Sequence, residues 1–160
     1  LLASSAASDV YKRQVRFLFK NTYGDILPLL ALYTGAGAIL GHNFPFYLHF
    51  KGGKGIACTA GLIIFFHPYM ILPEVITFFG TFFLTHYVSL GSLLVQIVLI
   101  AEMIIFGQMG LFGMSQGALI ELYIVTTLLA MLAFWEHRAN IGRLIHKTER
   151  KTYLSKKNEE

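Results

Sequence analysis

The sequence predicts an all-α, polytopic membrane protein with about five transmembrane helices. Of its 160 residues, 55% are hydrophobic and only 14% are charged, and the mean hydropathy is +0.59. Residues 56–136 contain no lysine, arginine or aspartate, and only four glutamates interrupt this apolar run. At roughly 20 residues per crossing the run holds four helices, and an apolar segment before it adds a fifth. A soluble domain of this size could not bury so much apolar surface.

Three segments are predicted along the chain. Residues 1–14 are small, polar and unpatterned, and they lack the order of a signal peptide, so we expect a foreign or disordered leader. Residues 15–149 form the membrane domain, which begins with a short helix stub over residues 15–20. Residues 150–160 form a basic and polar cytoplasmic tail.

Apolar runs and their boundaries predict helices over residues 26–41, 54–69, 75–85, 90–106 and 115–135. The pair Pro73 and Glu74 predicts a turn, and Ser89 is a predicted N-cap after a polar break at residues 86–89. Three glycines predict a flexible turn before the last helix, which ends at the interfacial anchor Trp135. These glycines are Gly107, Gly110 and Gly113.

The basic residues are clustered in a pattern typical of membrane proteins. Four of the thirteen precede Phe50, two lie within residues 51–54, and seven follow Glu136. The positive-inside rule makes these basic stretches cytoplasmic, and the clustering excludes a nucleic-acid-binding surface. Four crossings return the chain to the face that it left, so the basic loop, the break at 86–89 and the tail are predicted to share one face.

The stretch from Gly41 to Gly61 has the composition of an anion site. Its closely spaced glycines allow backbone N–H groups to converge on a ligand, and a helix that begins near Ile56 directs its positive end at the same place. A P-loop is excluded, because that motif needs serine or threonine after its lysine. The alternative is a basic loop that meets lipid headgroups. The candidate phosphate-binding residues are Lys51, Gly52, Gly53, Lys54 and Gly55.

A second candidate group follows the last apolar helix. His137, Asn140 and Arg143 recur at spacings of three, so on a helix the first two face the same way and the arginine lies within reach. A titratable ring, an amide and a guanidinium together suit a phosphoester substrate. The alternative is the end of a stop-transfer helix with basic residues that extend to the interface.

Together these stretches resemble the acyl-phosphate-dependent glycerol-3-phosphate acyltransferases of bacterial membranes, the PlsY family. The family's second motif is similar to GHxFPxxxxFKGGKG, which Gly41, His42, Phe44, Pro45 and residues 50–55 match. Its third motif is similar to HRxNIxRLxxxxE, which His137, Arg138, Asn140, Ile141, Arg143, Leu144 and Glu149 match. The segment YVSLGS at residues 87–92 is also family-like.

The resemblance implies transfer of a fatty acyl group from acyl phosphate to the sn-1 hydroxyl of glycerol 3-phosphate, giving lysophosphatidic acid and phosphate. It implies a site facing the cytoplasm in the bacterial inner membrane, with membrane lipids around it and a soluble acyl-phosphate-producing acyltransferase as a supplier. No cofactor and no nucleic acid are implied. When the family's residue roles are carried over to the matching positions, His137 and Asn140 are catalytic and Glu149 is structural. The substrate-binding residues are His42, Lys51, Gly52, Gly53, Lys54, Gly55, Ser89 and Arg143.

The family's first motif, an N-terminal loop followed by an arginine, has no counterpart in this sequence, and family members have seven spans. The sequence therefore resembles an N-terminally truncated copy, which we expect to have little or no activity by itself. The single cysteine, Cys58, excludes an intramolecular disulfide, and no metal-binding motif is present.

The chemistry leaves two questions open. His137 is the preferred general base and His42 the second candidate, but the phosphate of the substrate could equally accept the proton. A small transporter or channel subunit for an organic anion is the alternative class of protein. Transporters usually hold their ligands near the middle of the membrane, whereas the candidate residues here lie at one interface.

Overall fold

The computed structural model describes residues 26–50, 52–66 and 68–153, and this part of the chain is all-helical. Its helices are α1 (Leu27–Asn43), α2 (Ile56–Phe66), α3 (Pro68–Thr85), α4 (Val88–Gln108), α5 (Gln116–Glu136) and α6 (Arg138–Ile145), with a short 3₁₀ helix at Phe46–Leu48. The predicted all-α fold class is confirmed for these residues. The predicted leader and stub, Lys51 and residues 154–160 lie outside the described residues.

The five long helices form a ring around an apolar core. Helix α1 packs against α2 and α5, α2 against α3, α3 against α4, and α4 against α5. Short α6 lies across the end of the ring, against α4 and α5. The most deeply buried apolar side chains come from every long helix and are Leu32, Leu62, Met70, Met103 and Leu122.

The outer surface of the ring is apolar. Large apolar side chains are exposed along the outer faces of α2 to α5, as expected for helices that contact lipid. Examples are Ile64, Leu72, Ile76, Leu84, Ile97, Ile105, Ile124, Leu128 and Met131. Within the described residues, α4 and α5 are long and apolar enough to cross a membrane, and α3 contributes a shorter apolar stretch, Tyr69–Thr85. Length and hydropathy therefore identify two of the five predicted spans.

The predicted turn at Pro73 and Glu74 is wrong. Helix α2 ends at Phe66, α3 begins at Pro68, and α3 continues through Pro73 to Thr85. A turn at Pro73 would expose several backbone groups among apolar side chains, whereas a proline inside a helix frees only one carbonyl group. Neighbouring helices tolerate that smaller loss in an apolar environment.

The predicted cap at Ser89 is also wrong, since α4 begins at Val88, two residues before its predicted start, with Tyr87 in the N-cap position. The Ser89 hydroxyl is used in a contact with the tail, described below. Helix α5 does have a serine cap, because the Ser115 side chain accepts a hydrogen bond from the Ala118 N–H at 3.4 Å.

Candidate functional site

Polar groups from distant parts of the chain meet at one end of the helix ring. Lys54 Nζ, just before α2, donates a hydrogen bond to Asn140 Oδ1 on α6. The Thr152 N–H donates to the His86 carbonyl at 2.9 Å, so the tail also folds back onto the break between α3 and α4. The glycine loop, the break and the tail therefore share one end of the fold, as the number of crossings predicts.

The glycine loop is held against the end of α1 by its own backbone. The Gly52 N–H donates to the Asn43 carbonyl at 3.1 Å, and the Gly53 N–H donates to the His42 carbonyl at 3.2 Å. A Cβ atom on Gly52 would lie 2.0 Å from the His42 carbonyl oxygen, and one on Gly53 would lie 2.1 Å from His42 Nε2. At Gly52 only glycine permits this close approach to backbone oxygens, whereas a Cβ atom on Gly53 would displace the His42 ring.

Gly55 is required for a different reason. Its φ of 74° lies in the left-handed region that favours glycine. This conformation turns the chain into α2, whose first turn begins with the Thr59 N–H bonded to the Gly55 carbonyl at 2.9 Å. The free N–H groups of that turn give the site the positive end of a helix dipole beside Lys54.

Asn43 was missed by the sequence analysis, in which its position in the motif could be any residue. The side chain is 3% exposed, and neither Oδ1 nor Nδ2 has a hydrogen-bond partner among the described residues. A Cβ atom on Gly55 would lie 2.8 Å from Asn43 Oδ1, so the amide packs directly against the glycine loop. A polar residue beside His42 was the available signal. Asn43 is therefore a further candidate residue of this site.

Glu149 accepts hydrogen bonds from three side chains. Asn140 Nδ2 donates to Oε1 at 2.6 Å, Ser89 Oγ donates to Oε1 at 2.8 Å, and Arg143 Nε donates to Oε2 at 2.6 Å. The Glu149 side chain is 7% exposed and the Arg143 side chain 47%, so solvent screens the ion pair.

These contacts set the charges of the site. Partial burial acts to raise the pKa of the Glu149 carboxyl, but the hydrogen bonds from Asn140, Ser89 and Arg143 outweigh it and lower the pKa. Burial lowers the pKa of the Lys54 ammonium, and the Glu149 carboxylate partly opposes that shift. The side-chain amide of Asn140 lies between the two, since it accepts from Lys54 and donates to Glu149.

His137 lies at the junction of α5 and α6 and is 2% exposed. Its Nδ1 lies 2.7 Å from the Ala133 carbonyl oxygen, and because a carbonyl only accepts, Nδ1 carries the hydrogen. Burial lowers the pKa of the His137 imidazole from 6.5; the Ala133 bond opposes this shift, and the Lys54 charge adds to it. The ring is therefore neutral at neutral pH, with Nε2 able to accept a proton.

The structure collects most of the predicted site residues at this end of the fold, while Lys51 lies outside the described residues. Those described are His42, Gly52, Gly53, Lys54, Gly55, Ser89, His137, Asn140, Arg143 and Glu149. Among the remaining histidines, the His86 ring lies 4.6 Å from that of Tyr153, and His146 is exposed at the C-cap of α6.

A ring of apolar helices with a glycine loop, a lysine and an arginine at one end is the arrangement expected of a membrane protein that binds an anion. The chain matches the family described as "Glycerol-3-phosphate acyltransferase" over residues 3–147. It therefore belongs to the glycerol-3-phosphate acyltransferase family, as the motifs predict.

Curated relatives agree with this family. The chain is 34% identical over 147 residues to glycerol-3-phosphate acyltransferase 2 of Bacillus cereus, covering 88% of this chain and 68% of the relative. It is 39% identical over 130 residues to glycerol-3-phosphate acyltransferase of Bacillus subtilis, covering 79% of this chain and 58% of the relative. These names favour the acyltransferase hypothesis over the transporter alternative.

Two solved structures of PlsY (YgiH), an integral membrane glycerol 3-phosphate acyltransferase, have a similar fold. The glycerol 3-phosphate form has a TM-score of 0.68 and 25% identity, covering 85% of this chain and 62% of the solved one. The lysophosphatidic acid form has a TM-score of 0.71 and 23% identity, and the match covers 94% of this chain and 69% of the solved one. The second likeness supports the fold alone. The chain thus spans about two thirds of these solved proteins.

Proposed function

We propose that this chain carries the site at which a fatty acyl group passes from acyl phosphate to the sn-1 hydroxyl of glycerol 3-phosphate. The hydroxyl oxygen attacks the acyl carbonyl carbon, the bond from that carbon to the phosphate oxygen breaks, and inorganic phosphate leaves. The hydroxyl proton passes to a base, and the products are lysophosphatidic acid and phosphate. An acyl phosphate carries a good leaving group, so positioning and charge stabilisation supply most of the catalysis.

One observation carries this proposal, namely the contact of Lys54 with Asn140 across 86 residues. It joins the glycine loop to the first turn of α6, which supports a shared site. In our proposal Gly52, Gly53 and Gly55 let the loop pack closely against α1, which holds Lys54 and the positive end of α2 at the phosphate of glycerol 3-phosphate, and Lys54 neutralises it. Lys51, Arg143 and His42 contribute further positive charge or hydrogen bonds, and the Asn43 amide holds the loop when the anion is bound.

Asn140 and His137 act on the reacting groups in this scheme. The Asn140 amide donates to the developing carbonyl oxyanion, and His137 Nε2 accepts the hydroxyl proton. Glu149 holds Asn140 and Arg143 in place, and Ser89 holds Glu149, which makes these two positioning residues. No cofactor is needed, because the activated acyl phosphate arrives ready-made from a soluble acyltransferase.

The same proposal gives the protein about five membrane spans among bacterial inner-membrane lipids, with the site facing the cytoplasm. The basic residues of the tail favour that side by the positive-inside rule. A direct test supplies acyl phosphate and labelled glycerol 3-phosphate to membranes that contain the complete gene product, and measures lysophosphatidic acid. Uptake of glycerol 3-phosphate into sealed vesicles without acylation would instead support a transporter.

Acidification should slow the reaction as the His137 imidazole becomes protonated. Because the pKa of this ring lies below 6.5, half of kcat/KM should be lost at a pH below 6.5, and activity should be constant above it. In His137→Gln the residual activity should no longer depend on pH in this way. The measurement is kcat/KM at a series of pH values.

His146→Gln is a matched control, since the His146 ring also bonds a carbonyl four residues earlier, at 2.8 Å, but is exposed. It should leave the pH profile unchanged. An acid limb that persists in His137→Gln would contradict the assignment and leave His42 or the substrate phosphate as the base.

A further inference from the structure

A tight turn redirects the chain after α6. Lys147 has a left-handed φ of 56°. The Thr148 N–H donates to the Arg143 carbonyl at 2.8 Å, and the Lys147 N–H donates to the Leu144 carbonyl at 3.1 Å. These are the two bonds of a Schellman motif, which ends a helix. The residues that follow, 149–153, contact the break between α3 and α4 and form a strap across it.

The strap is attached to the break at two points. At the first, Ser89 Oγ donates to Glu149 Oε1 at 2.8 Å. At the second, the Thr152 N–H donates to the His86 carbonyl at 2.9 Å, and the ring of Tyr153 lies 4.6 Å from the ring of His86. Because position 149 is paired with 89 and position 152 with 86, the strap runs antiparallel to the break.

The conformation of His86 makes the second attachment available. Helix α3 ends at Thr85, and His86 follows it with a φ of 60°, which is uncommon for a residue other than glycine. The His86 ring contacts both Phe82, edge-on at 6.2 Å, and Tyr153. The Tyr153 side chain is 56% exposed, so its contact with His86, not burial in the core, holds it in place.

The position of Glu149 depends on the backbone on both of its sides. Its carboxylate accepts bonds from Asn140 and Arg143 on α6 and from Ser89 on α4, so it must lie at one place between two helices. The turn after α6 fixes the backbone before Glu149. The attachment at His86 fixes the backbone after it, and so removes conformational freedom that would otherwise oppose the three bonds.

We propose that His86 and Tyr153 are positioning residues for acyl transfer. They anchor the strap, the strap holds the Glu149 carboxylate, and that carboxylate orients the Asn140 amide. The inference rests on the proposed function and deepens it. Because this path ends at Asn140, which is assigned to the reacting carbonyl, loss of the anchor should lower kcat more than it raises KM.

The first test is Tyr153→Ala in the complete gene product, with kcat normalised to the amount of protein in membranes. We expect kcat to fall by about 5- to 20-fold, with KM for each substrate changed by less than about twofold. Tyr153→Phe keeps the ring and should restore kcat to within about twofold of the unmodified enzyme. Arg150→Gln is a matched control, since Arg150 lies exposed in the same strap, and its kcat should also stay within about twofold.

The second test repeats Tyr153→Ala in the Glu149→Gln background. If Tyr153 acts through Glu149, the added change should lower kcat by less than about twofold, because the carboxylate that the strap positions is already gone. A general contribution of Tyr153 to folding would cost the same factor in both backgrounds. The double mutant therefore separates a positioning role from a merely structural one.

Two further variants test the attachment from its other components. Glycine at position 86 keeps the left-handed turn and the carbonyl but removes the ring, so His86→Gly should resemble Tyr153→Ala. Proline at position 152 removes the N–H that bonds the His86 carbonyl and leaves both rings in the chain, so Thr152→Pro should also lower kcat.

An active enzyme whose kcat is unchanged in Tyr153→Ala and His86→Gly would overturn the anchoring role. Equal losses from Tyr153→Ala with and without Glu149→Gln would overturn the path through Glu149. Both results would leave the proposed function standing. Absence of any acyl transfer by the unmodified protein would refute the proposed function itself, and the positioning role with it.

Discussion

Replacing Gly52 by alanine should lower kcat/KM for glycerol 3-phosphate by about 10- to 100-fold. The new Cβ atom would lie 2.0 Å from the His42 carbonyl oxygen and 2.6 Å from the Asn43 carbonyl oxygen, both of which belong to the backbone. The loop must therefore move away and lose the bonds that Gly52 and Gly53 make to α1. Steady-state kinetics with each substrate varied in turn measures the effect.

The loss should appear mainly as a raised KM for glycerol 3-phosphate, with a smaller change for acyl phosphate, because the loop is assigned to the first substrate's phosphate. Gly142→Ala on α6 is the matched control, since a Cβ atom there would meet nothing within 4 Å. Equal losses for the two substrates in Gly52→Ala would remove the argument that the loop binds glycerol 3-phosphate.

Replacing Glu149 by glutamine should lower kcat by about 30- to 1,000-fold and leave the protein in the membrane. An amide cannot accept all three of the hydrogen bonds that the carboxylate accepts from Ser89, Asn140 and Arg143. Whichever way the amide turns, its NH₂ group faces a donor, either Arg143 Nε or the pair formed by Asn140 and Ser89, and this repulsion displaces the side chain that orients Asn140 toward Lys54. Turnover at saturating substrate, together with the amount of protein in membranes, measures the effect.

Glu121→Gln is a matched control. Glu121 also accepts a hydrogen bond, from Tyr33 at 2.5 Å, but lies in the first turns of α5, far from the site. Its kcat should change by less than about twofold. A Glu149→Gln enzyme with nearly unchanged kcat would show that Glu149 does not position Asn140.

The sequence predicts those parts of the fold and site that depend on the pattern of apolar residues and on the number of membrane crossings. The apolar runs locate the helices, and four runs between Lys54 and Arg138 return the chain to one face. The contact of Lys54 with Asn140 agrees with this prediction. The helical spacing predicted for His137, Asn140 and Arg143 is also found, since His137 is the N-cap of α6 and the other two residues lie within that helix.

What the sequence does not predict depends on tertiary contacts. Pro73 suggests a turn by local propensity, but apolar packing keeps α3 intact through it. Ser89 has the composition of a cap, yet its hydroxyl bonds Glu149, sixty positions further along the chain. The buried amide of Asn43 becomes visible as a candidate only when Gly55 is packed against it.

The central claim is that the glycine loop and the tail form one site around the same substrate phosphate. A double-mutant cycle of Lys54→Met and Asn140→Ala, measured on kcat/KM for glycerol 3-phosphate, tests it most directly. Because the two side chains are hydrogen-bonded, each single change should remove most of what the pair contributes, with a coupling energy of at least about 1 kcal/mol. Losses that simply add, within about 0.5 kcal/mol, would contradict a shared site.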